Sequence, residues 1–282
     1  MKHLRILILG LGQVVIGYDI DCPNKGIKTH LFAIKKYGFD KSIHFEIHAV
    51  DPNLDQRERA KIFFPNVYFY EKIEDVEIEE FDLVLNAVPI ENLHEATLKA
   101  LKYFRIKHLI VEKPGVARKD LVSEFNEISQ DVLGLQIAYP RRVLNSSSFL
   151  RSQLANYEEW DISISYSGQP INILSHFLDL IEAVLPERQS ANGINFGDIN
   201  MSQTSQVNLN NHEIIFTGKS KIAYQKGGQL ITIDGSITHD FSKELESQIW
   251  YSAREYLNVA IGNKISSFPR YISPLIMNVL ED

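Results

Sequence analysis

Along the first half of the chain, short apolar runs alternate with stretches in which apolar residues recur every three or four positions. Residues 4–9, 45–50, 67–70, 82–87 and 108–111 read as strands, and 54–63, 92–104 and about 119–129 read as helices. Residues 134–139 read as a further strand. Near-continuous apolar strands separated by helices are the signature of a parallel sheet covered on both faces.

The texture changes after about residue 150. Residues 160–166, 206–209, 213–217, 221–225 and 229–233 alternate apolar and polar positions between turn signals, which suits an antiparallel sheet. Asn210-Asn211 and Gly227-Gly228 supply hairpin turns, and helices at 173–184 and 243–261 are expected to cover one face of that sheet. The pattern thus predicts an α/β Rossmann-type domain with a parallel sheet over 1–117, followed over 118–282 by an α+β domain with a mostly antiparallel sheet.

Charge and composition narrow the partners. The formal charge is −7, with acids and bases interspersed, so there is no basic footprint for nucleic acid or an anionic membrane. A small-molecule partner is expected instead. Cys22 is the only cysteine, which removes any internal disulfide framework and suits a reducing cytoplasm. The apolar run 6–9 is interrupted by Gly10, Gly12 and Gln13, so it reads as a buried first strand rather than a signal peptide, and no run approaches the roughly 20 apolar residues of a spanning helix.

The first strand ends in Gly10-Leu11-Gly12. Such a turn brings backbone amides, here those of Gly12, Gln13 and Val14, against a pyrophosphate at the positive end of a helix. The third small position of the fingerprint is occupied by Val15, which predicts a departure from the usual loop geometry. Asp51, at the end of the second strand, can accept hydrogen bonds from adenosine ribose hydroxyls and would repel a 2′-phosphate, which favours NAD over NADP. It stands further from the glycines than the fingerprint expects, and an insertion at 18–28 accounts for the excess. Asp51 could equally cap the helix that follows Pro52.

The segment Leu109-Ile110-Val111-Glu112-Lys113-Pro114-Gly115 resembles the Glu-Lys-Pro hallmark of the Gfo/Idh/MocA oxidoreductases. The resemblance extends to Asp82-Leu83-Val84-Leu85-Asn86-Ala87-Val88-Pro89 with His94, to Ala138-Tyr139-Pro140-Arg141-Arg142, and to Ser175-His176-Phe177-Leu178-Asp179. It implies an NAD(P)-dependent oxidoreductase that moves a hydride between nicotinamide and a sugar, sugar nucleotide or cyclic polyol. The resemblance also implies that the sheet of 118–282 is open-faced and that this domain binds substrate and forms homo-oligomers through that C-terminal sheet. By resemblance, Ala87, Val88, Glu112 and Lys113 join the cofactor site, and Lys113, Tyr139, Arg142, Asn172 and His176 face the substrate. Lys113 and His176 match the family's catalytic lysine and histidine, while its aspartate is replaced by Asn172.

The chemistry fits these side chains. Oxidising a carbinol requires loss of the hydroxyl proton and stabilisation of charge on that oxygen. An imidazole, with an unperturbed pKa of roughly 6.5, suits the first task and an ammonium the second. Asn172 can hydrogen-bond a substrate but cannot hold a proton, and Asp179, one turn after His176, is placed to orient the imidazole. Two alternatives remain open: a dinucleotide- or sugar-binding regulator that has lost catalysis, and an epimerase or glycosidase that uses transient oxidation. His44 and His48 share a strand face with Glu46, and no metal site is expected there.

Overall fold

The computed structural model describes residues 2–23, 26–132, 134–154, 160–166, 169–184, 206–209, 212–217, 220–226, 229–244, 247–262, 266–277 and 279–282. The chain forms two compact units: Met1–Tyr139 with Glu246–Ile272 and Glu281–Asp282, and Pro140–Leu245 with Ser273–Leu280.

In the first unit, β1 (His3–Leu9) leads through a π-helical turn (Gln13–Gly17) and α1 (Tyr18–Asp21) to α2 (His30–Lys41) and β2 (His44–Val50). There follow α3 (Leu54–Phe63), β3 (Tyr68–Tyr70), β4 (Glu80–Asn86), α4 (Leu93–Tyr103), β5 (Arg105–Glu112), α5 (Val122–Asp131) and β6 (Leu135–Ala138). All pairs are parallel, in the order β3-β2-β1-β4-β5-β6. The order reverses beside β1, which opens a crevice beyond the carboxyl ends of β1 and β4. Ile6, Leu7 and Ile8 of the central strand are wholly buried, as a sheet covered on both faces demands. Each such side chain contributes about 2 kcal/mol by leaving water.

In the second unit, α6 (Asn145–Leu154), β7 (Asp161–Tyr166) and α7 (Pro170–Val184) precede β8 (Gln206–Leu209), β9 (His212–Thr217), β10 (Ser220–Lys226), β11 (Leu230–Ile233) and β12 (Ile237–Asp240). The sheet order is β12-β11-β7-β10-β9-β8, antiparallel except for β7 against β10. The chain then returns to the first unit as α8 (Gln248–Ala260), and α9 (Pro274–Met277) belongs to the second.

Three expectations change. The first compact unit runs past residue 117 to Tyr139, because β6 pairs with β5. The helix expected at 243–261 begins at Gln248 and, with its buried Ile249, Ala253, Tyr256 and Leu257, belongs to the first unit and not to the unit that holds the second sheet. The hairpin expected at Gly227-Gly228 does not form, because β10 and β11 each pair with β7, which lies between them. Those two glycines lie outside the described residues, as do Asn210-Asn211, although β8 and β9 pair antiparallel from Leu209 opposite His212. A hairpin not expected from the sequence joins β11 to β12 through Asp234 and Gly235, both at positive φ (48° and 68°).

Candidate functional site

The crevice of the first unit is built by backbone geometry before side chains add chemistry. Gly10 sits at φ 88°, and a Cβ there would lie 2.7 Å from the Ala87 carbonyl oxygen, so β1 and the end of β4 approach as only glycine permits. Gly12 is extended, and a Cβ on it would meet nothing within 4 Å, which leaves open space over the loop. Its carbonyl accepts from the amides of Val15, Ile16 and Gly17 at 3.1, 3.1 and 3.4 Å. This widened turn lets Val15 be wholly buried at the position where the fingerprint wants a small residue. Gln13 is exposed and Val14 half-buried.

Asp51 ties the second strand to this loop. Its Oδ2 accepts from the Leu11 amide at 2.7 Å and its Oδ1 from the Asn53 amide at 2.8 Å. Asp51 therefore does not cap α3; Asn53 does, accepting from the amides of Asp55 and Gln56. The arginines of α3 are already engaged, Arg57 with the Asp51 carbonyl and Glu71, and Arg59 with Asp21 of the inserted segment. That segment is closed by Asp19, which accepts from the amides of Lys28 and Thr29 and from the Thr29 hydroxyl.

At the end of β4, Asn86 is wholly buried and donates to the Leu93 carbonyl and to Thr97, while Ala87 is buried and Val88 half-buried. At the end of β5, Glu112 is buried and meets the imidazole of His30 at 2.8 Å. Lys113, next in the chain, is half-buried. Gly10, Gly12, Gln13, Val14, Asp51, Ala87, Val88, Glu112 and Lys113 thus all stand at carboxyl ends of strands in the first unit or in the turns that leave them. Tyr139, which ends the first segment of this unit, is 1% exposed. An aromatic-walled groove of about 700 Å³, lined by Phe39, Phe45, Phe64 and Tyr68, opens at the amino end of β2, the opposite end of that strand from Asp51.

The second unit carries the other expected residues on and beside α7. Asn172 is exposed on its first turn and His176 is buried. Asp179 does not orient His176: the Arg142 guanidinium takes both of its oxygens, Nε at 2.9 and 2.8 Å and Nη2 at 2.7 Å. Burial pushes the Asp179 carboxyl up and Arg142 opposes that push. Arg142 is therefore one half of a buried ion pair.

Two features escaped the sequence reading. Arg141 is 1% exposed, packed against Phe177 at 4.0 Å and Phe241 at 5.0 Å, with Nη2 donating to Gln229. Burial pushes its guanidinium down to about 9, with the Glu244 charge opposing. His30 and Tyr256 are the other miss. The buried spacing of Leu31, Ile34 and Tyr37 is the signal that would have revealed α2.

Among the described residues no group of three or more potential ligands could hold a metal ion, and no helix is long and apolar enough to cross a membrane. His48 instead hydrogen-bonds Glu46 and Tyr70.

No protein-family model matches the sequence, and no curated protein matches it. Solved structures do match in fold. The WlbA (WbpB) dehydrogenase from Thermus thermophilus, in complex with NAD and alpha-ketoglutarate, superposes with a TM-score of 0.68 at 16% identity, over 100% of this chain and 96% of that one. A myo-inositol dehydrogenase from Corynebacterium glutamicum gives 0.62 at 13% identity, over 93% and 89%. The transcriptional regulator Gal80p from Kluyveromyces lactis gives 0.63 at 13% identity, over 95% and 85%. At these identities the likeness shows the fold: a Rossmann-type unit followed by a unit with a second, mixed sheet.

Proposed function

We propose that the protein is an NAD-dependent oxidoreductase of the Gfo/Idh/MocA family, acting on a hydroxyl of a sugar, sugar nucleotide or cyclic polyol. The observation that carries the reading is the crevice at β1, where Gly10 allows close approach, Gly12 leaves open space and Asp51 presents a carboxylate bonded to the loop amide of Leu11. These residues fit a dinucleotide, and the bound nicotinamide would supply the hydride acceptor. The Asp51 carboxylate favours NAD over NADP, and so does the engagement of Arg57 and Arg59 with other acceptors. Of the three structural neighbours named above, two are dehydrogenases, one of them crystallised with NAD.

For the chemistry, the proposal gives each side chain one task. Lys113 donates to the substrate oxygen and stabilises charge as it develops there. His176 takes the hydroxyl proton during oxidation and returns it during reduction. Asn172 and Tyr139 hydrogen-bond the substrate. Arg142, paired with Asp179, positions α7. The reading includes a homo-oligomer formed through the second sheet, and a monomer in light scattering would contradict that part.

Calorimetry with NAD, followed by nicotinamide absorbance over a panel of sugars and polyols, tests the proposal. Binding and turnover are expected, with turnover abolished in Lys113→Ala and His176→Ala variants that still fold. A second reading, a ligand-sensing regulator, draws on Asn172 in place of the family's aspartate and on the likeness to Gal80p. NAD binding without turnover, unchanged by Asn172→Asp, would favour it.

A further inference from the structure

The first unit holds a chain of three buried polar side chains that the proposed chemistry leaves unused. His30 opens α2, Tyr256 lies on α8, and both are wholly buried; the Glu112 side chain, at the end of β5, keeps only 11% of its surface. His30 Nε2 lies 2.8 Å from Glu112 Oε1, and its Nδ1 lies 3.1 Å from the Tyr256 hydroxyl. His30 Nδ1 is the hydrogen-bond partner of the buried Tyr256 hydroxyl, so the hydroxyl proton is satisfied by donation to Nδ1, which leaves Nε2 as the ring's N–H. Burial, reinforced by the charge of Glu112, pushes the Tyr256 phenol well above its ordinary value. The phenol keeps its proton and donates it to Nδ1. Nε2–H then donates to Glu112. The result is a one-way chain that ends on a carboxylate and accounts for every proton without placing one on Glu112.

The place of that carboxylate gives it a task. Asp51 marks the adenosine side of the crevice at the end of β2, and a dinucleotide laid across the switch point brings its nicotinamide half to the ends of β4 and β5. The oxidised ring carries a positive charge that the reduced ring lacks. The ammonium of Lys113, one residue on, would by itself disfavour that charge, and a carboxylate offsets it. We propose that the Tyr256–His30–Glu112 chain fixes a carboxylate at the nicotinamide end of the crevice, so that the protein binds the oxidised dinucleotide in preference to the reduced one. His30 and Tyr256 act through Glu112 as positioning residues. The inference rests on the reading of the crevice as an NAD site.

The test is calorimetric titration of NAD and NADH into the full-length wild type and four variants, with folding checked by circular dichroism. Glu112→Gln, nearly isosteric, is expected to lower the ratio of NAD to NADH affinity about tenfold, as removal of one charge in a partly desolvated site should. His30→Leu and Tyr256→Phe, which strip the carboxylate's support, should lower the ratio by roughly threefold. His30→Gln, whose amide can still donate to Glu112, should recover most of the wild-type ratio. A structural defect alone would weaken both nucleotides by one factor and leave the ratio unmoved. If both nucleotides bind and Glu112→Gln leaves the ratio unchanged, this inference falls while the NAD site stands. If the wild type binds neither, both fall together.

Discussion

The two units hold their buried acids by different means. In the first, Asp19, Asp51 and Glu112 are held by donors without full charge: backbone amides, the Thr29 hydroxyl and an imidazole. In the second, Asp179 is held by the guanidinium of Arg142. A carboxylate held by neutral donors keeps its negative charge for whatever lies beside it. One held by arginine is neutralised where it stands. Asp51 and Glu112, at strand ends on the crevice, are therefore suited to recognise a ligand, whereas the Asp179–Arg142 pair secures α7 against the segment that opens the second unit.

The largest effect expected from this contrast is that of Arg142→Gln. It leaves Asp179 buried without its counter-ion, at a cost of about 3–5 kcal/mol in urea unfolding at neutral pH. The pH dependence has a definite sign. Burial already raises the folded-state pKa of Asp179 above its ordinary value, and Arg142 opposes that rise. Without Arg142 the folded state binds a proton that the unfolded state releases, so stability should rise as pH falls from neutrality toward the ordinary carboxylate range. A variant equally destabilised across that window would break the account of Asp179 as a neutralised pair.

Next in size is Gly10→Ala. Positive φ and a Cβ placed 2.7 Å from the Ala87 carbonyl oxygen should together cost about 2–3 kcal/mol, measured by denaturant unfolding, because the obstacle is backbone and cannot swing away. The effect separates the framework of the crevice from its chemistry, since Gly10 offers a ligand no side chain.

The parallel sheet was legible in the sequence because its central strands carry near-continuous apolar runs toward their carboxyl ends, and residues 54–63 match α3 at both ends. The places of the loop glycines after β1 and of Asp51 after β2 could be read because an acid at the end of the second strand of such a fold has one topological place. His30 and Tyr256 could not be paired with Glu112, because they stand 82 and 226 residues from their hydrogen-bond partners along the chain. No local pattern records such a contact. In the second unit, periodicity found β7, β10 and β11 but not their pairing. Two glycines between alternating strands look the same whether the next strand folds back on its neighbour or crosses to the far side of β7. The assignment of Asp179 to His176 failed for a related reason: helical spacing shows which residues share a face, and the partner that won came from outside the helix.

Asp51→Asn tests the neutral-donor side of the comparison with a smaller change. The amide oxygen can still accept from Leu11 N or from Asn53 N, so stability should fall by no more than about 1 kcal/mol. NAD affinity, measured by calorimetry, should fall roughly tenfold if, as proposed, the lost charge is the one offered to the ribose hydroxyls. Discrimination against NADP should relax at the same time. Equal losses for NAD and NADP would mean that Asp51 shapes the loop and does not read the ribose.

Gly12→Ala is expected to have the smallest effect on the fold and is the sharpest test of the crevice. Gly12 is extended at φ −70°, a conformation any residue adopts, and a methyl group there meets no atom within 4 Å. Stability should therefore change by less than about 0.5 kcal/mol. The space the methyl fills is the space left open over the loop amides, so dinucleotide affinity should drop by about tenfold or more even though no hydrogen bond has been removed. Gly10→Ala and Gly12→Ala then form a pair with opposite signatures, one costing stability and the other binding. If Gly12→Ala binds NAD as tightly as the wild type, the open space over Gly12 is not where the pyrophosphate lies, and Asp51 would lose its claim to the ribose as well.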